Sequence, residues 1–193
     1  MVLDLTASSA DLTRAICDIP SVSGEEAPLA DEIESIVRAL PHLQVTRHGN
    51  TIVARTDLGR AQRVVIAGHI DTVPVHDNLP TRDIEIDGAA SIWGRGTVDM
   101  KSGVAVQLKL AAELVAPAVD ITWMWYDNEE VEASKNGLNL LAASHPELFR
   151  ADFAILGEPS NGTAEGGCNG TMRAVVRTHG GRAHSARAWV GEN

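Results

Sequence analysis

Apolar positions along the chain follow two periods, and the alternation between them predicts the fold. Over residues 25–40, EEAPLADEIESIVRAL, the residues Leu29, Ile33, Ile36, Val37 and Leu40 share one helical face. Acidic residues fill the first turn of that segment, where the helix dipole favours them. Four other runs carry the signature of strands: TIVART at 51–56, RVVIAG at 63–68, DITWMWYD at 120–127 and DFAILG at 152–157. VVIAG and FAILG are continuously apolar, which predicts central strands covered on both faces. Helical patterns at 102–115 and 134–143 separate the later strands, and a further helical pattern holds Cys17 as a core residue. DIEIDGAASIWGRG predicts a hairpin turning at Asp87-Gly88. Strands that alternate with helices imply an α/β fold with a largely parallel sheet flanked by helices.

Composition narrows the partners. The chain has 193 residues, 44% of them hydrophobic, enough for a core, and a formal charge of −10. That charge repels nucleic acid and anionic membranes, so neither is expected as a partner. The N-terminus lacks the basic start and apolar run of a secretion signal, and no apolar stretch approaches the roughly 18 residues of a membrane span. A cytoplasmic protein is the expectation. Cys17 and Cys168 are too few and too far apart for a disulfide framework or a thiolate metal site.

Ligands of open α/β sheets gather beyond the carboxyl ends of the strands, where the loops diverge. His69 and Asp71 follow VVIAG, Glu129 and Glu130 follow ITWMWYDN, and Glu158 follows FAILG. Asp99 precedes the helix at 102 and falls on the same rim. Five carboxylates so close do not all stay ionised at reduced dielectric without a cation. Imidazole and carboxylate without thiolate suit zinc, cobalt or manganese, and bridging carboxylates suit a pair of ions. In His-x-Asp the ring binds metal through one nitrogen, while the carboxylate orients it through the other. Of Glu129 and Glu130, one can bind metal and its neighbour can take a proton from water. GRGTVDMKSG lacks the glycine spacing of a phosphate loop, and Cys168, with no histidine partner in the sequence, reads as a packing residue rather than a nucleophile.

The stretches IPSVSGEE, AGHIDTVP, GRGTVDMKSG, YDNEE, LGEPS and RAHSARAWVGEN, in this order, resemble the metal-dependent aminoacylase and carboxypeptidase clan. Within it the chain is most similar to the succinyl-diaminopimelate desuccinylases of the actinobacterial kind, from about residue 10 to its last residue. The resemblance implies a zinc-exopeptidase-like catalytic domain and two zinc ions, with cobalt as a substitute. His69 and Glu158 would hold one ion, Asp99 would bridge to a second held by Glu130, Asp71 would orient His69, and Glu129 would be the general base. It further implies a cis peptide between Asp99 and Met100, and an oxyanion role for His184 from a lid domain. The implied substrate is a small acylated amino acid, N-succinyl-diaminopimelate; acetylornithine deacetylase and dipeptidase or carboxypeptidase activities are the alternatives.

Two features depart from the clan. Its last ligand to the second zinc is a histidine from a later segment, and His42, His48, His76, His145 and His179 match no such motif. Cys168-Asn169 stands where proteobacterial desuccinylases carry a basic pair, which leaves Arg173, Arg182 and Arg187 as candidate anchors for a substrate carboxylate. The closing residues begin a strand and stop on a loop, so a truncated chain is expected: residues 1–173 as the catalytic domain and 174–193 as the start of a lid and dimerisation domain. Full-length relatives would be homodimers and this chain mainly a monomer, and an inactive metal-binding fragment is the rival reading.

Overall fold

The computed structural model describes residues 3–167, 174–177, 179, 180, 186, 189 and 191. Residues 1–161 make one compact unit and residues 162–193 a second. The first holds a five-stranded sheet in the order β1 (Gln44–His48), β2 (Thr51–Arg55), β6 (Asp120–Tyr126), β3 (Arg63–His69) and β7 (Phe153–Leu156). β1 with β2 and β2 with β6 are antiparallel, whereas β6 with β3 and β3 with β7 are parallel. All strands but β2 therefore run the same way, as an α/β reading of the sequence expects. β4 (Arg82–Ile86) and β5 (Ala89–Trp93) form the hairpin, with its turn at Asp87 and Gly88.

Both faces of the sheet are covered at its centre. All seven residues of β6 are buried. Their alternation sends Ile121, Trp123 and Trp125 to one face, with α1 (Ser9–Cys17), α2 (Ala27–Arg38) and α3 (Lys101–Glu113). Met124 and Tyr126 go to the other, with Leu141 of α4 (Gly137–Ser144) and Leu148 of a 3-10 turn (Pro146–Phe149). Local chemistry starts these helices. Ser8 accepts the Asp11 N–H at 3.1 Å to cap α1, Pro28 occupies the first turn of α2, and Asn136 accepts the Asn139 N–H at 3.2 Å to cap α4. Cys17 is buried at the end of α1, the packing place its pattern indicates.

β7 differs from the expectation of a central strand. It lies at the sheet edge, and Phe153, Ile155 and Leu156 are all exposed. A continuously apolar strand signals apolar surroundings on both faces, but in the described residues nothing covers those faces or pairs with the outer edge. β1, with mixed polarity, escapes the sequence pattern altogether. It is recruited by five antiparallel partners on β2, from Gln44 with Arg55 to His48 with Thr51.

The register matters most for function. Gly68 lies opposite Trp125, His69 opposite Tyr126 and Ala67 opposite Leu156. The parallel strands β6, β3 and β7 therefore end together, and the chain leaves them on one rim. At the other end of β6, buried Asp120 accepts hydrogen bonds from Thr56 Oγ1, the Leu58 N–H and the Arg60 N–H, each at 2.8 Å. Asp120→Ala leaves those donors unmet and is expected to cost about 3 kcal/mol, read as a lowered urea midpoint.

Candidate metal centre

His69 ends β3 with 1% of its side chain exposed. Its Nδ1 lies 3.0 Å from the backbone carbonyl of Asp71, which can only accept, so Nδ1 carries the hydrogen. The Asp71 carboxylate is slightly farther from the same nitrogen, at 3.4 Å. Residue 71 thus orients the ring with its main chain as well as its side chain. Nε2 faces the rim, 3.0 Å from Asp99 Oδ1 and 3.9 Å from Glu158 Oε1. His69, Asp99 and Glu130 each offer one ligand atom within 4.8 Å of the other two. Sequence-expected ligands from three separate segments are thereby brought together, with Glu158 beside them.

Asp71 has a second task that the His-x-Asp spacing does not reveal. Fully buried, it accepts the Glu129 N–H at 3.0 Å, the Glu130 N–H at 3.1 Å and the Ser23 hydroxyl at 2.7 Å. The loop that presents both glutamates is therefore hung from the residue that orients His69. Glu26 adds a further tie. Sequence places it in a helix first turn, yet it is fully buried at the start of α2, accepting the Gly24 N–H at 2.8 Å and the Asn128 N–H at 3.3 Å.

Behind the ligands the packing is tight. The Asp99–Met100 peptide is cis, as the resemblance implies. Met100 Sδ accepts the His69 N–H at 3.3 Å, and Gln107 Nε2 donates to the Ala67 carbonyl at 3.0 Å. A Cβ on Gly68 would come within 2.8 Å of Gln107 Nε2, and one on Gly157 within 2.5 Å of the same atom. The glycines before His69 and Glu158 thus let the two strand ends pack against the Gln107 amide, which a side chain at either position would have to displace. Lys101 is also buried, its Nζ donating to the carbonyls of Ile19 at 2.9 Å and Ile16 at 3.3 Å, and burial holds its pKa down at about 8.

The electrostatics match a cation site. Burial pushes the Glu130 and Glu158 carboxyls up, and the charge of Asp99 adds to both shifts. Burial by itself would lower His69, but hydrogen bonding to Asp71 and the charges of Asp71 and Glu158 outweigh it and raise the ring to about 9. Burial likewise opposes ionisation of Asp71, yet the His69 contact and the N–H and hydroxyl donors keep its carboxyl below the usual range. In the absence of metal the cluster thus recruits a proton onto His69. A divalent cation answers the same excess of negative charge, and an imidazole Nε2 with carboxylate oxygens is a donor set that fits it. His184, Cys168, Arg173, Arg182 and Arg187 lie outside the described residues.

A sheet covered on both faces at its centre, with an imidazole and carboxylate cluster at its carboxyl rim, defines an α/β protein with a candidate metal site at its strand ends. The chain belongs to peptidase family M20/M25/M40, whose sequence pattern matches residues 65–184. It is 49% identical over 193 residues to a Mycobacterium tuberculosis protein described as "Putative succinyl-diaminopimelate desuccinylase DapE", covering all of this chain and 53% of the relative. It is 50% identical over 196 residues to the succinyl-diaminopimelate desuccinylase of Corynebacterium glutamicum, covering 99% of this chain and 52% of that one. The chain thus spans about half the length of these curated relatives. Among solved structures, an M20 metallo-carboxypeptidase from Sulfolobus solfataricus superposes with a TM-score of 0.62 at 17% identity, covering 78% of this chain and 37% of the other. A Bacillus subtilis M20 protein described as a dinuclear metal binding peptidase gives 0.53 at 14% identity, over 77% and 41%. Both likenesses carry the fold. Among the described residues, no helix is long and apolar enough to cross a membrane.

The raised His69 pKa sets a pH dependence for the metal-free chain. The folded state holds a proton that the unfolded state releases near pH 6.5, so the ring's contribution is complete below that pH and is lost as pH rises through about 9. Lys101 acts in the opposite sense from about pH 8 upward, because its folded pKa is depressed. Urea titrations are expected to show metal-free stability falling from pH 6.5 to 8, with His69→Gln removing that slope. The full effect of the ring is up to about 3 kcal/mol.

Proposed function

We propose that the chain is the metal-binding part of a zinc-dependent amide hydrolase that cleaves N-succinyl-diaminopimelate into succinate and diaminopimelate. The observation that carries this reading is the meeting of His69, Asp99 and Glu130 within 4.8 Å at the strand ends, with Glu158 3.9 Å from His69. The choice of substrate is supported by identities of 49% and 50% to relatives described as desuccinylases, against 29% to Paracoccidioides brasiliensis relatives described as probable carboxypeptidases.

His69 and Glu158 would hold one ion, with Asp99 shared and Glu130 on the second ion. When bound, zinc or cobalt supplies the electrophile that polarises the amide carbonyl and acidifies the attacking water. Asp71 keeps the Nδ1–H of His69 turned inward and Nε2 free for the ligand side, and its oxygens keep the Glu129 and Glu130 main chain in register with the ring. Glu129 takes the proton of the attacking water and returns it to the amine as the carbon–nitrogen bond breaks, giving one carboxylate and one amine per water consumed. His184 donates to the developing oxyanion. The same reading carries a cytoplasmic location, a dimer for the full-length enzyme and a mainly monomeric state for this chain.

Elemental analysis after dialysis against zinc tests the centre directly. At least one zinc per chain is expected, lost in His69→Ala, and a chain that retains no zinc overturns the reading. In a protein of the relatives' full length, the change Glu129→Gln is expected to leave zinc content intact while kcat falls by about 1000-fold. Faster release of acetate from N-acetylornithine than of succinate from N-succinyl-diaminopimelate would favour the deacetylase alternative.

A further inference from the structure

Lys101, with 1% exposure, is a buried cation outside the metal cluster. It opens α3 two residues after Asp99, and both its main chain and its side chain are engaged. The main-chain N–H donates to the Gly96 carbonyl at 2.9 Å, which closes the loop that carries Asp99. The stem packs against that loop, where a Cβ on Gly96 would come within 3.0 Å of Lys101 Cδ. The ammonium reaches the end of α1, on the carbonyls of Ile16 and Ile19. The segment that follows α1 grips the other side of the site. Ser21 Oγ donates to the Ile70 carbonyl at 2.6 Å, the Ser21 carbonyl accepts the Thr72 N–H at 2.9 Å, and the Ser23 hydroxyl donates to Asp71. Residues 16–23 thus touch both the turn after His69 and the residue that closes the loop of Asp99.

A buried ammonium is costly unless oxygen atoms replace its water, and the carbonyls at a helix C-terminus carry the partial charge that suits it. Asp99 is 52% exposed and Val98 before it 70%, so packing holds neither side chain. The place of the Asp99 carboxylate is therefore set through its neighbours in sequence. Met100 supplies one hold, at the His69 N–H. We infer, on the reading of the cluster as a metal centre, that Lys101 supplies the second. It is a positioning residue whose ammonium, seated on the end of α1, keeps Asp99 Oδ1 at 3.0 Å from His69 Nε2, in register for one cation. Lys109 gives the matching contrast. It lies about two turns further along α3, and its Nζ donates to the carbonyls of Ala7 at 2.7 Å and Leu5 at 3.2 Å. The same kind of tie is made there, without a metal ligand beside it.

Calorimetric zinc titration of the 193-residue chain tests this, with urea midpoints measured alongside. Lys101→Met keeps the stem and removes the donors. It is expected to weaken zinc binding by roughly 10- to 100-fold and to change the visible spectrum of the cobalt-loaded chain, which reports ligand geometry. Lys109→Met is expected to lower the urea midpoint yet keep the zinc affinity and cobalt spectrum of wild type. Zinc binding by Lys101→Met equal to wild type overturns the assignment. So does an equal loss in Lys109→Met, which would make the effect one of general stability. Lys101→Gln, with an N–H donor on a shorter stem, is the second variant and is expected to lie between Lys101→Met and wild type. Failure of both Lys101 variants to fold, read by circular dichroism, makes Lys101 a structural residue and likewise overturns the assignment. If wild type holds no zinc, the metal-centre reading falls, and crystal structures of the metal-free chains decide the role of Lys101. The 3.0 Å contact of His69 Nε2 with Asp99 is expected in wild type and Lys109→Met and lost in Lys101→Met. Its survival in Lys101→Met overturns the positioning role.

Discussion

One buried carboxylate organises the rim. Asp71 faces the inner nitrogen of His69, accepts the main-chain N–H groups of Glu129 and Glu130, and takes the Ser23 hydroxyl. Four contacts from three segments converge on a group with no exposure. A charge removed from water is tolerable only when its lone pairs are met, and here three of the four partners that meet it, His69, Glu129 and Glu130, belong to the candidate site. The stability of that carboxylate and the geometry of the site are thus the same set of interactions.

Around it the site separates inner constraint from outer reactivity. Inside, Glu26 fixes Asn128, Met100 receives the His69 N–H, and Gln107 lies between the glycines that precede His69 and Glu158. Outside, Asp99 is 52% and Glu158 40% exposed, so a cation and a substrate can reach them. Preorganised ligands on rigid strand ends lose little freedom on binding, which favours a site built on a sheet rim over one built on free loops.

Much of this was legible in residue order. Periodicity gave β2, β3, β6, α2, α3 and the Asp87-Gly88 hairpin, because each uses its own local pattern. Placement after strands pointed to His69, Glu130 and Glu158, because parallel strands deliver their succeeding loops to one edge, and Asp99 was read on the same rim from its place before a helix. β1 was not legible, since its membership comes from pairing with β2 rather than from its own apolar residues. FAILG spoke for a buried strand and lies exposed at an edge, since periodicity reports the environment a strand suits and not the neighbours it has. Glu26 and Gln107 were equally silent, each being defined by what another segment brings to it. Residue order alone thus specifies most of the strands and the acids and imidazole that reach their carboxyl ends, because those depend on local pattern and chain direction. Which buried groups find partners is settled only in the folded molecule, because hydrogen bonds between distant segments are set by register and packing.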